Sequence, residues 1–246
     1  MHPSASLFVT AGMAACALGV AAGLVAGYGR AARGQGAPRA GVVGFGVGIA
    51  VWLAVVAALG ASGVLRRDMR PPPLFPLVAL GVVLAVATAR SSIGARLARG
   101  LPLVALVGFH AFRLPLELVM HRAASEGVMP AQMTFGGWNY DIVSGATAVV
   151  VAWLIARGQA PRWLIRGWAV LSSLLLCVIV VVAVTSTPLF AAFGSSSERL
   201  NTWIGWFPFT WLPCFLVPAA ILGQLVLFRR LAQISEAAGP VRPSRA

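Results

Sequence analysis

The feature that most constrains this chain is a rhythm: runs of about 20 apolar residues recur along it, separated by short connections whose charge is mostly arginine. About 20 apolar residues is the length at which an α-helix crosses a bilayer. Seven such runs can be drawn, over 7–28, 41–64, 74–89, 101–120, 138–156, 163–184 and 207–228. The third is short, only about 24 Å as a helix. Composition removes the alternatives. Apolar residues make up 59% of the 246 residues and charged residues 10%, against about 45–50% and about 25% in soluble domains. A water-soluble core and a disordered chain are both excluded. The expected fold is all-α: a polytopic integral membrane helix bundle of about seven transmembrane helices. A single helical domain over 1–232 would be followed by a short polar tail over 233–246.

The net charge of +13 does not point to nucleic acid. All 19 basic residues are arginine, and they sit in twos and threes between apolar runs rather than in one stripe with interleaved aromatics. Loop arginines of this kind set membrane orientation. Thirteen of them fall after the first, third, fifth and seventh runs, and five on the other side, at Arg66, Arg67, Arg70, Arg122 and Arg199. The expected topology has the N-terminus outside and the C-terminus cytoplasmic, with a bacterial inner membrane as the location. Met13-Ala14-Ala15-Cys16 loosely resembles a lipoprotein cleavage site. No arginine or lysine precedes it and the apolar run continues, so it reads as part of an uncleaved first span.

Tryptophans at the ends of the runs read as interfacial anchors: Trp138, Trp203, Trp206 and Trp211 on the outer side, Trp163 and Trp168 on the inner. Gly19, Gly23 and Gly27 recur every fourth residue, as do Gly44 and Gly48. Small residues at this spacing let helix backbones approach closely, within the bundle or against a membrane protein partner. Pro208, Pro213 and Pro218 each remove a backbone donor from the last run, which should bend or locally unwind. Cys16, Cys177 and Cys214 lie in or near apolar runs without a CxxC, and read as small buried hydrophobes.

Chemistry concentrates in the fourth run and the segment after it. His110, Arg113, Glu117 and His121 fall within an arc of about 80° on a helix, spread over about 16 Å of rise. An arginine at mid-membrane costs roughly 2.5–3.5 kcal/mol on insertion scales, so it normally faces the bundle interior and has a partner. Glu117, four residues on, is the local candidate. The order Arg before Glu is the weaker one for helix support, so a partner on another helix or a ligand explains the pair better. Pro115 frees a carbonyl on the preceding turn. Asn139 and Asp141 can cap the fifth run, and Asp141 also places a carboxylate at the outer entrance. Ser195 to Thr202 reads as a solvated loop.

Counting residues limits the chemistry. Without lysine no Schiff base forms on a side-chain amine. Outside this segment the only histidine is His2, so a two-helix bis-histidine haem site cannot be built, and no cofactor is expected. HExxH, HxxxH and GxSxG are absent. A metal site would have to combine Glu117, His121 and Asp141. The run from Phe112 to Gly145 resembles a stretch of bacterial multi-pass membrane proteins, a resemblance that carries no activity.

Three readings follow. The first is binding, and translocation, of a small anionic or protonatable solute, with Arg113 as anion anchor, Glu117 and His121 as proton carriers, and His110 at the floor of the pocket. The second is an accessory or scaffold subunit of a larger membrane complex, held together by a structural Arg–Glu pair and presenting its glycine stripes to a partner. The third is a metal-assisted membrane enzyme.

Overall fold

The computed structural model describes residues 5–67 and 72–237. Nine α-helices carry the architecture: α1 (Leu7–Gly34), α2 (Arg39–Ser62), α3 (Leu74–Arg90), α4 (Ser92–Gly100), α5 (Leu103–Gly108), α6 (Arg113–Ser125), α7 (Asp141–Ala156), α8 (Arg162–Thr185) and α9 (Val217–Ala237). No strand occurs among the described residues. Five stretches are long and apolar enough to cross a membrane: α1, α2, α5 through α6, α8, and Leu212–Glu236. A sixth forms if α3 and α4, bent by 61° at Ser91, are counted together. α7, with 16 residues, is shorter.

Local chemistry sets the breaks. Ser6 caps α1, its hydroxyl accepting from Val9 N at 3.3 Å. α2 stops at Gly63, whose φ of +81° suits glycine. Ser91 ends α3 and caps α4 by accepting from Ile93 N. The sequence suggests a plain connection here; the chain instead continues as a nine-residue helix turned across the bundle end. The fourth run is interrupted as well. Pro115 has no N–H for the carbonyl of Ala111, and Phe109–Phe112 tightens into a 3₁₀ turn between α5 and α6.

The last run begins late. Residues 207–210 are turn, Leu212–Leu216 is π-helical, and regular α-helix starts at Val217. Pro218 cannot donate to the carbonyl of Cys214, and the indole of Trp52 on α2 donates to that carbonyl instead, at 2.9 Å. α9 runs on to Ala237, so the expected tail starts as helix; 238–246 lie outside the described residues.

Hydrogen bonds show which helix ends lie together. At one end Arg96 donates to the hydroxyl of Tyr28, Gln35 donates to the carbonyl of Arg96, Arg229 donates to the carbonyl of Ala89, and Arg166 meets Ser235. This gathers the arginine-bearing ends of α1, α3, α4, α8 and α9. At the other end Ser6 N donates to Glu126, Gln132 to the carbonyl of Arg199, and Asn201 to the carbonyl of Ala183.

The glycine expectation is largely overturned inside the chain. A Cβ at Gly19, Gly23, Gly44 or Gly48 would meet nothing within 4 Å. Close approaches between helices fall elsewhere, at Gly145 against Leu114 N, at Gly81 against Cys214 O and at Gly100 against Ala31 Cα. The tryptophans also divide. Trp138 and Trp163 are exposed, as anchors should be, whereas Trp168, Trp203 and Trp211 are interior. Trp211 spends its N–H on the carbonyl of Leu53, and Trp168 on Thr147. Of the cysteines only Cys214 is buried; Cys177 is exposed.

Candidate functional site

The site is built where α6, α7, α8 and α9 meet, and the backbone of α7 makes it possible. A Cβ at position 145 would lie 2.4 Å from Leu114 N and 3.0 Å from Arg113 C. Glycine there lets α7 press against α6 at the level of Arg113. One turn earlier on the same face, Asp141 is then brought to the guanidinium.

Arg113 is 1% exposed. Its Nη1 donates to Asp141 Oδ1 at 2.9 Å, to Ser172 Oγ at 3.0 Å and to the carbonyl of Ser172 at 3.3 Å. Gln224 on α9 donates to the same Ser172 hydroxyl at 2.7 Å. Glu117, the local candidate, is therefore not the partner of Arg113; the partner lies on another helix, as the weak Arg-before-Glu order suggests. Among the described residues the ion pairs are Arg113–Asp141 and Arg122–Glu126. The partner comes from a neighbouring helix, because Arg113 and Glu117 point along one face while α7 lies across it.

Glu117 has a different partner. Asn139 Nδ2 donates to both of its oxygens at 2.8 Å and to the carbonyl of Met133 at 3.0 Å. Asn139 Oδ1 in turn accepts from Asp141 N at 3.0 Å, so Asn139 holds the start of α7. Asp141 is the ion-pair partner rather than the capping residue. Asn139 reaches this depth because 126–140 folds back into the bundle, with Met133 and Asn139 buried. The segment is pinned by Gln132, which donates to Ser186 Oγ and to the carbonyl of Arg199. Non-helical backbone inside a membrane bundle is tolerated where protein covers it or it lines a cavity.

Such a cavity is present. It measures about 140 Å³, lies between α3, α6, α8 and α9, and has Glu117 and Asp141 in an otherwise mostly apolar wall. Met133 and Asn201 also line it. Asn201 is a site residue that the sequence left inside a solvated loop; Ser195 to Arg199 are indeed exposed, but Asn201 turns inward.

The two histidines part company. His110 is fully buried between Phe109, Trp168 and α9, its ring edge lying where a Cβ of Gly223 would be. By hydrogen-bond geometry neither ring nitrogen is satisfied among the described residues, with the Gly223 backbone beside the ring. His121 is exposed and stacks on Phe135 with ring centroids 4.3 Å apart, away from the cluster. It sits at the edge of the arc, two turns beyond Arg113, where the helix is already emerging from the bundle. The trio Glu117, His121 and Asp141 is thus not assembled, and no group of three metal-type side chains occurs among the described residues.

Comparison with known proteins finds no matching family model, no matching curated protein and no matching solved structure.

Proposed function

We propose that this is a seven-span membrane protein, N-terminus outside and C-terminus cytoplasmic, that binds a small protonatable solute beside Glu117 and exchanges a proton with that carboxyl. The seven-span reading is supported by the collected arginine-bearing ends, which need α3 and α7 each to traverse the bundle. The outer part of the α7 slot is filled by 126–140, which explains the short helix.

The observation that carries the functional reading is Glu117. It is 2% exposed and borders the cavity; among the described residues it accepts from one amide nitrogen and has no cation in ion-pair contact. An ionised carboxylate in that setting is costly, and a proton or a bound cationic group removes the cost. Asp141 already balances the charge of Arg113 through Nη1, while Nε and Nη2 have no hydrogen-bond partner among the described residues; the balance of charge favours a protonatable, amine-like solute over an anion. His110 stands on the opposite side of Arg113 as a second proton-capable group.

The test uses an apolar carbodiimide, which modifies protonated carboxyls in hydrocarbon surroundings. In reconstituted protein, dicyclohexylcarbodiimide should label Glu117 and lose that label as pH rises, and butylamine should slow the reaction. Glu117→Gln should abolish it. Labelling confined to Glu126, Glu198 or Glu236, or indifference to both pH and amine, overturns the reading.

A second reading is favoured by the continuity of the Gln224–Ser172–Arg113–Asp141 chain, which ties α6, α7, α8 and α9 together within one molecule. On it the ion pair is purely a clamp and the protein is an accessory subunit of a larger complex. Its partner would meet the open glycine faces of α1 and α2. Recovery of a stoichiometric membrane partner in mild detergent supports this reading, and a lone monodisperse monomer argues against it.

A further inference from the structure

A second cleft, of about 460 Å³, opens between α1, α4, α5 and α9 at the arginine-bearing end. Its α1 wall is Gly23, Ala26, Gly27, Arg30 and Arg33, residues three or four apart that share one helical face. Gly23 has nothing within 4 Å of its Cβ position, and Gly27 meets only Leu101, at 3.6 Å. These small residues are what leave the space. From Gly23 to Arg33 the wall rises about 15 Å. It is apolar at the deep end, where Phe109 and Gly223 form the floor, and doubly basic at the mouth.

The charge at that mouth is unanswered. Arg30 and Arg33 are exposed, and neither forms an ion pair among the described residues. Among the described residues Glu236 is the one carboxylate at this end of the bundle, against eleven arginines. An apolar slot about half a bilayer long, topped by paired cations, is complementary to one molecule: a membrane lipid whose acyl chain fills the slot and whose anionic headgroup meets the arginines. Basic pockets between membrane helices on the cytoplasmic side bind such headgroups.

We infer that this cleft is a binding site for an anionic phospholipid, with Arg30 and Arg33 on the headgroup phosphate and an acyl chain seated over Gly23 and Gly27. The site rests on the membrane placement proposed above and is independent of the chemistry at Glu117.

The test is native mass spectrometry of the full chain, titrated with phosphatidylglycerol against a phosphatidylcholine background. The wild type should retain phosphatidylglycerol preferentially. Arg30→Gln with Arg33→Gln should weaken that retention by roughly 30-fold, the effect of two arginines at headgroup level. Gly27→Leu fills the slot while leaving every charge in place, and should weaken it by at least tenfold. Arg39→Gln, at the same end but outside the cleft, should change it less than threefold. Loss on Arg39→Gln equal to that of the double variant, or full retention in Gly27→Leu, would show surface charge alone and overturn the site. Carbodiimide labelling of Glu117 should be unchanged in all of these variants. A failure there therefore bears on the proton-handling reading, and a failure of lipid retention on this one.

Discussion

Replacing Asp141 with asparagine tests the central ion pair with the least change of shape. The amide keeps an acceptor near Oδ1 but removes the charge that Arg113 Nη1 meets at 2.9 Å. Arg113, at 1% exposure, then keeps only neutral acceptors, that amide oxygen and Ser172. Removing one partner of a buried pair costs about 3–5 kcal/mol, because the other charge stays buried without compensation. The isosteric change belongs at the lower end, about 3 kcal/mol. Arg113→Gln alone should cost at least as much, since it leaves the buried Asp141 carboxylate without its cation. The double variant Arg113→Gln with Asp141→Asn replaces the pair by two neutral amides that can still hydrogen-bond. It should lose about 2–3 kcal/mol less than the sum of the singles. The assay is reversible unfolding of the purified protein in mixed micelles, carried through as a double-mutant cycle. Additive losses, with a coupling inside about 0.5 kcal/mol, would refute the idea that these two side chains interact as a buried ion pair.

Other outcomes follow from the same geometry. Gly145→Ala should destabilise by about 1–3 kcal/mol in the same unfolding assay, since a Cβ 2.4 Å from Leu114 N forces α7 away from α6; Gly19→Ala, with nothing within 4 Å, should cost nothing or stabilise slightly. Trp52→Phe strips the donor from the Cys214 carbonyl and should cost about 1–3 kcal/mol; adding Pro218→Ala, which restores a backbone N–H, should recover part of the loss. The Glu126 carboxyl is held below its ordinary value, first by the backbone N–H of Ser6 and also by Arg122. A depressed carboxylate contributes its stabilisation above the ordinary glutamate range and loses it as pH falls through its own lower value. The Ser6 amide resonance should therefore report release of the α1 start on acidification, and Glu126→Gln should remove that pH dependence.

Much of the bundle was legible because hydrocarbon is an unforgiving solvent: long apolar runs and arginine-bearing connections leave few other folds. Arg113 stood out for the same reason, as a cation where the surroundings are apolar. What a single run of sequence could not show was pairing across helices. The order of Arg113 and Glu117 points to a partner on another helix without saying which; Asp141 takes that place because Gly145, four residues beyond it, has no side chain and lets a second backbone in. Ser172 and Gln224 carried no signal, being single polar residues in apolar helices; a buried cation that needs extra acceptors was the clue that such partners had to exist. Within the chain the glycine stripes do not mark the helix contacts, because spacing reports where backbones can approach, and Gly81, Gly100 and Gly145, outside any stripe, are where they do. His121 was placed with the cluster by helical phase alone, which takes no account of where the helix leaves the protein.

The Trp52–Cys214 contact has a consequence for how the chain is assembled. The carbonyl left bare by Pro218 belongs to the last long helix, while the indole that covers it lies 162 residues earlier in the chain. During synthesis the donor is therefore in the membrane well before the acceptor leaves the ribosome. The bent start of the final helix is shaped by a mould laid down near the beginning, and that helix attains its form by arriving against helices already in place.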